Sequence, residues 1–260
     1  MNQKIYQIDA FVTKAFEGNP AMVCPLDSWL SDELMQQIAE ENNLSETAFF
    51  VKEDEVYHLR WFSPTSEVDM CGHATLASAY VLFECMNYEA TEILFSTKSG
   101  LLKVWKEENR YVMDFPIQAI ESCDISKQIE EAFGLKPLAT FTSMDYIVVF
   151  ENEEDVYLAK PNLTLLKELD LRGVCICAKS KKYDFVTRFF APKYGIDEDP
   201  VTGSAFTQLV SYWADELEKE ELYAKQVSAR GGEVYCVVKG NRVEMSGGAV
   251  KYLEGIISIK

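Results

Sequence analysis

Histidine is nearly absent from this 260-residue chain: His58 and His73 are the only two, so a metal site built from several imidazoles is excluded by inventory. Basic residues are scarce as well, 25 Lys and Arg against 42 Asp and Glu, for a net charge of -17. That field repels phosphate backbones and anionic lipid surfaces, so nucleic acid is not an expected partner, and the same excess of acid also serves plain solubility. No apolar run approaches the roughly 20 residues that span a bilayer, and a membrane partner is not expected either. The opening MNQKIYQIDA places an acid inside a short apolar run and offers no apolar core followed by a small-residue cleavage site, so no secretion signal is expected. The seven cysteines (Cys24, Cys71, Cys85, Cys123, Cys175, Cys177 and Cys236) are odd in number and lack zinc spacing. Several sit in apolar, strand-like runs where a thiol acts as a small hydrophobe, which fits a reducing cytoplasm.

What is present is a packed protein. Hydrophobic residues make up 48% of the chain and aromatics 12%, which excludes disorder and, at this length, points to two medium domains. The two halves resemble one another. Arg60-Trp61-Phe62-Ser63-Pro64, a loop, then Cys71-Gly72-His73-Ala74 and an apolar run to Phe83 are matched by Arg188-Phe189-Phe190-Ala191-Pro192, a loop three residues longer, then Thr202-Gly203-Ser204-Ala205 and an apolar run to Ala214. Beyond those runs, Ser96, Lys98, Gly100, Asn109 and Arg110 match Ser228, Arg230, Gly232, Asn241 and Arg242 at an offset of 132 (228 − 96). A period of that length reads as duplication of a whole domain rather than as a solenoid repeat.

Short β-branched and aromatic runs, broken by Gly, Asn and Pro, predict strands at 6–11, 48–51, 57–62, 93–95 and 101–105, and in the second half at 146–150, 174–177, 185–190, 234–238 and 256–259. Ser31-Asp32-Glu33 opens a surface helix, with a Ser cap, acids in its first turn and Leu34, Met35, Ile38 and Ala39 on one stripe, ended by Asn42-Asn43. Residues 74–83 and 205–214 are apolar nearly all round, as buried helices are, with Thr75, Ser78, Thr207, Gln208 and Ser211 as the main polar interruptions. The expected fold is therefore α+β: two homologous domains, 1–118 and 119–260, each a strand-rich sheet or barrel wrapped around a central buried helix, with the last strand free to pack back on the first domain.

Each central helix starts directly after a loop. A helix N-terminus offers free N–H groups and partial positive charge, so it binds a carboxylate without a cationic side chain, and Gly72 and Gly203 would let a ligand approach closely. Two such starts facing one another would cradle a small acid. Each alone is also explained by a tight turn, with Ser204 as a cap. It is the matching of the two loops, which normally drift apart, that favours binding.

Asn43-Leu44-Ser45-Glu46-Thr47, Gly18-Asn19-Pro20, Cys71-Gly72-His73 and Asp197-Glu198-Asp199-Pro200-Val201-Thr202-Gly203-Ser204-Ala205 together resemble the phenazine-biosynthesis PhzF-like family, of the diaminopimelate epimerase-like fold. The resemblance covers essentially the whole chain. It implies a homodimeric isomerase that uses no metal or organic cofactor and moves a proton on a small carboxylic acid. Glu46 matches the family's acid/base, and His73, Asp199 and Ser204 match its other active-site members, leaving Gly72, Gly203, Thr202, Cys71 and Asn19 as substrate-binding candidates. Ala48, Phe49 and Phe50 beside Glu46 would desolvate its carboxyl, which suits a group that takes and returns a proton, although most Glu residues at strand starts are simply solvated. His73, next to a helix N-terminus, is expected in its neutral form. Asp199 would orient that imidazole, bond a substrate hydroxyl or simply complement the helix dipole.

Cys71 falls where related epimerases carry one of two catalytic thiols, but its counterpart is Thr202. A threonine hydroxyl is too weak an acid to stand in for a thiol, so the two-thiol mechanism fails and Cys71 reads as a small buried residue. Two alternatives stand beside the isomerase: an amino-acid racemase or epimerase using Cys71, and a non-catalytic small-acid-binding protein.

Overall fold

The computed structural model describes residues 2–259 and divides into two compact units, one running to Asp114 and resuming at Ser246, the other spanning Phe115–Met245. The first unit holds β1 (Asn2–Ala10), β2 (Asn19–Leu26), α1 (Asp32–Asn42), β3 (Glu46–Glu53), β4 (Val56–Phe62), β5 (Glu67–Val68), α2 (Gly72–Tyr80), β6 (Glu92–Thr97), β7 (Gly100–Glu107) and most of β8 (Arg110–Pro116). In the second lie β9 (Glu121–Ser122), α3 (Lys127–Phe133), β10 (Ala139–Thr142), β11 (Tyr146–Val149), α4 (Glu153–Leu158), α5 (Leu163–Lys167), β12 (Val174–Lys179), β13 (Phe185–Ala191), β14 (Ile196–Asp199), α6 (Gly203–Leu217), β15 (Glu221–Gln226), β16 (Gly232–Lys239) and most of β17 (Arg242–Gly247). The closing strand, β18 (Ala249–Ser258), pairs antiparallel with β1 and so belongs to the first unit.

The duplication is a duplication of topology. In the first unit β2 pairs parallel with β3, β3 antiparallel with β4, β4 parallel with β6 and β6 antiparallel with β7. The second unit repeats this order with β11, β12, β13, β15 and β16. In each unit an arginine on the central strand makes a two-pronged pair with a glutamate, Arg60 with Glu67 and Arg188 with Glu198, and lies over a phenylalanine two residues on, Phe62 or Phe190. The register corrects one part of the sequence alignment. Gly100, Asn109 and Arg110 do match Gly232, Asn241 and Arg242 at the offset of 132. Ser96 and Lys98 do not match Ser228 and Arg230 in the structure: Tyr57 faces Phe95 where Phe185 faces Ala224, so β6 maps onto β15 three residues earlier. The hairpin after β15 is longer than the one after β6, and that length absorbs the difference.

Both apolar runs are buried helices. In α2 every residue except Tyr80 is buried, and its last turn widens into a π-helical turn, Val81–Cys85. It packs against β1, β2, β3 and β18. The longer α6 buries Gly203 to Val210 and Trp213. At the surface, α1 is capped by Ser31, whose side chain accepts from the Leu34 amide, and ends at Asn43 with φ 49°, the left-handed conformation that asparagine tolerates.

Candidate active site

Five of the nine candidate residues meet at the start of α2. Glu46 is the first residue of β3, Asn19 the first of β2, Cys71 the N-cap of α2, and Gly72 and His73 its first two residues. Parallel pairing of β2 with β3 sets Ala21 opposite Glu46, so Asn19 and Glu46 arrive at the same end of the sheet. Gly18 is obligatory here: its φ is +70°, and a Cβ would lie 2.2 Å from the carbonyl oxygen of Ala10. On the other side, Asn42 donates to Thr47 Oγ1 at 3.1 Å and ties the end of α1 to the start of β3.

Glu46 Oε2 lies 3.1 Å from His73 Nε2, with side-chain exposures of only 14% and 6%. The N–H direction misses the oxygen, so the contact is an ion pair without a directed hydrogen bond, and neither buried atom makes a hydrogen bond to another described residue. Both keep hydrogen-bonding capacity that no described residue uses. The other ring nitrogen, Nδ1, faces Asn19 Nδ2 at 3.2 Å and Cys71 Sγ at 3.5 Å. The first-turn amides of α2 add backbone donors at the same place.

The electrostatics correct the expected neutral state of His73. Burial disfavours the imidazolium, but the charges of Cys71 and Glu46 outweigh it and raise the pKa well above the usual histidine value. The contribution that persists at neutral pH is that of Glu46, because burial first and the Glu46 charge second push the Cys71 thiol up to about 11 and keep it protonated. The ion pair with Glu46 works against the helix N-terminus and favours the protonated form of His73. Cys71 is a buried thiol, as the sequence reading held.

Donor atoms of Glu46, Cys71 and His73 lie within 4.8 Å of one another. They do not form a chelate with the ring as it stands: Glu46 approaches Nε2 and Cys71 approaches Nδ1, and the two lone pairs of an imidazole point away from each other.

The other four candidates gather at the start of α6, in the second unit. Asp199 ends β14, Thr202 is the N-cap, and Gly203 and Ser204 open the helix. Thr202 Oγ1 donates to Asp199 Oδ2 at 2.5 Å. Ser204 does not cap the helix: its Oγ accepts from Arg172 Nη2 at 3.0 Å.

Several residues of this second cluster escape a sequence reading. Gln226, fully buried, accepts from the Thr202 amide and donates to the Asp199 carbonyl at 2.7 Å. Asp145, equally buried, is gripped by Arg172 through Nε at 2.8 Å and Nη2 at 2.6 Å, and receives Gln208 Nε2 at 2.7 Å. Only Gln208 left a trace, as a polar break in an apolar run.

A strand-rich unit wrapped round one buried helix, built twice and carrying polar clusters at both helix starts, defines an epimerase-like α+β enzyme. The chain belongs to the phenazine biosynthesis-like (PhzC-PhzF) family, whose model matches residues 8–255. It is 48% identical to an uncharacterized isomerase of Pseudomonas aeruginosa over the whole of both chains, and its relatives place it in the isomerase class. Its fold is similar to a crystal structure of a PhzF-family phenazine biosynthesis protein from Enterococcus faecalis, with a TM-score of 0.97, 45% identity and full coverage of both chains. A hydroxyproline epimerase from Agrobacterium vitis shares the fold, with a TM-score of 0.66 at 9% identity, over 98% of this chain and 92% of its own. No helix among the described residues is long and apolar enough to cross a membrane.

Proposed function

We propose that this isomerase moves a proton on a small carboxylic acid without a metal or organic cofactor, with Glu46 as the acid/base. The observation that carries the proposal is the buried Glu46–His73 pair at the start of α2, with two polar atoms that keep unused hydrogen-bonding capacity. Glu46, as carboxylate, takes a proton from carbon, and the C–H electron pair moves into the adjoining π system. Returning that proton to another carbon of the same system completes an isomerisation with no net change in atoms or electrons. Charged His73 holds the Glu46 carboxylate in place, and Asn19, fully buried beside Nδ1, orients the ring with its amide turned so that Oδ1 accepts the Nδ1–H. The amides at Gly72 bind the substrate carboxylate. By the internal repeat and the family, Gly203, Thr202, Ser204 and Asp199 bind the acid as well. One acid/base on one face returns the proton to the face it left, which favours a proton shift over the inversion a racemase performs. The protonated state of Cys71 weighs against the racemase reading in the same direction. Assembly as a homodimer in the cytoplasm belongs to the same proposal, and the mass of the purified protein by light scattering tests the dimer.

The test is a screen of small carboxylic acids for deuterium incorporation at carbon in D2O, comparing wild type with Glu46→Gln. Exchange in the wild type that drops by at least about 100-fold in E46Q, the lower range for loss of a general acid/base, supports the reading. Exchange that survives in E46Q overturns Glu46. An E46Q protein that binds the acids unchanged while the wild type exchanges none would identify a binding protein.

A further inference from the structure

The strand register within each unit identifies what stands at the Glu46 position in the second copy. Thr47 faces Phe62 where Val174 faces Phe190, so Glu46 maps onto Gly173. His73 maps onto Ser204, since both are the second residue of their helix. Gly173 has no side chain to offer, and none would fit: a Cβ there would meet the Phe189 ring and the Phe190 carbonyl oxygen, each at 2.7 Å. Arg172, one residue earlier, takes over. Its guanidinium lies over the Phe189 ring at 5.3 Å and reaches Ser204 Oγ, as Glu46 reaches His73. An acid in one copy is thus replaced by a base in the other.

Arg172 is held rigidly. Asp145 takes Nε and Nη2 in a two-pronged grip, and Gln208, one turn beyond Ser204 on α6, closes the ring by donating to Asp145 Oδ2 and accepting from the Asp145 amide at 3.1 Å. Asp199 and Cys175 also face the guanidinium. Because Ser204 Oγ already accepts from a permanently charged donor, its hydroxyl proton is directed elsewhere, and it finds no acceptor among the described residues.

We infer that Arg172, anchored by Asp145 and Gln208, is a positioning residue that fixes Ser204 as a polarised hydrogen-bond donor to an anionic group of the substrate. This rests on the proposal that Ser204 contacts substrate. A neutral serine would sample several rotamers and could accept as readily as donate, and the Arg172 contact removes that freedom.

Ser204→Cys reports the effect without any substrate. Burial is the largest cause acting on Cys175 in the same unit, whose thiol is pushed up to about 12 although the Thr187 hydroxyl and the Arg172 charge lower it. The thiol introduced by S204C is expected to titrate below the ordinary value of about 8.5, read from the pH dependence of iodoacetamide alkylation of its peptide by mass spectrometry. At pH 7.5, S204C should be alkylated at least about 10-fold faster than S204C/R172Q, one pKa unit, with S204C/R172K close to S204C because the charge is kept. An ordinary or raised value in S204C by itself overturns the inference, even if R172Q fails to fold. Equal rates in S204C and S204C/R172Q overturn it as well. On an acid found by the exchange screen, R172Q should raise KM about 10-fold or more and R172K should recover part of it. A purely structural role would lower the active fraction, and so the apparent kcat, and leave KM alone. If the wild type exchanges none of the acids, the proton-transfer proposal falls while the thiol titration still decides the role of Arg172.

Discussion

Cys71 separates the two kinds of enzyme this fold could support, and its chemistry can be read directly by alkylation. With the thiol pushed up to about 11, about one molecule in a thousand carries the thiolate at pH 8. An ordinary thiol, near 8.5, would be about one quarter ionised, so labelling of Cys71 should be about 200-fold slower than that of an unperturbed cysteine. Burial of the side chain slows the reagent further. The sign follows from the cause: burial and the Glu46 carboxylate both disfavour the thiolate, so the rate should climb about tenfold per pH unit up to pH 11 and show no plateau near neutrality. The native protein would be treated with iodoacetamide at pH 8, and each cysteine peptide followed by mass spectrometry beside the rate of deuterium exchange. Half-buried Cys85 and Cys123 serve as internal comparisons. Rapid labelling of Cys71 below pH 9, with loss of exchange in step with it, would refute the reasoning and restore a thiol mechanism.

Two further outcomes follow from the first unit. His73 should remain protonated at pH 7.5, seen in its ring carbon and nitrogen chemical shifts; a neutral ring at that pH would contradict the ion pair. Since its folded pKa is raised, the stability it contributes is complete below about pH 6.5, its unfolded value, and is lost as pH rises through the folded value, so the gap in urea stability between wild type and His73→Gln should narrow with rising pH. Gly18→Ala should cost about 2–4 kcal/mol, from the left-handed backbone and the collision with the Ala10 carbonyl; urea denaturation showing less than about 1 kcal/mol would mean that the turn before Asn19 relaxes freely.

The amino-acid sequence by itself determined the duplicated plan, the two buried helices and the residues at their starts. Those features are local: apolar runs without a polar face must be buried wherever the rest of the chain lies. The strands at 19–26, 221–226 and 242–247 were not legible, because Pro20 and Pro25 interrupt the first and the other two alternate over only two or three apolar residues, too few to stand out. Tertiary structure alone decided the rest. The charged form of His73 is favoured because parallel pairing of β2 and β3 delivers a carboxylate to its Nε2 across 27 residues of sequence (73 − 46), and no window of sequence contains that distance. Arg172 and Asp145 meet Ser204 and Gln208 across longer gaps still, and only the register of β12 against β13 shows that an arginine has taken the place of Glu46 in the second copy. Coulomb energy depends on separation in space and on the water excluded between charges, and both are properties of the fold.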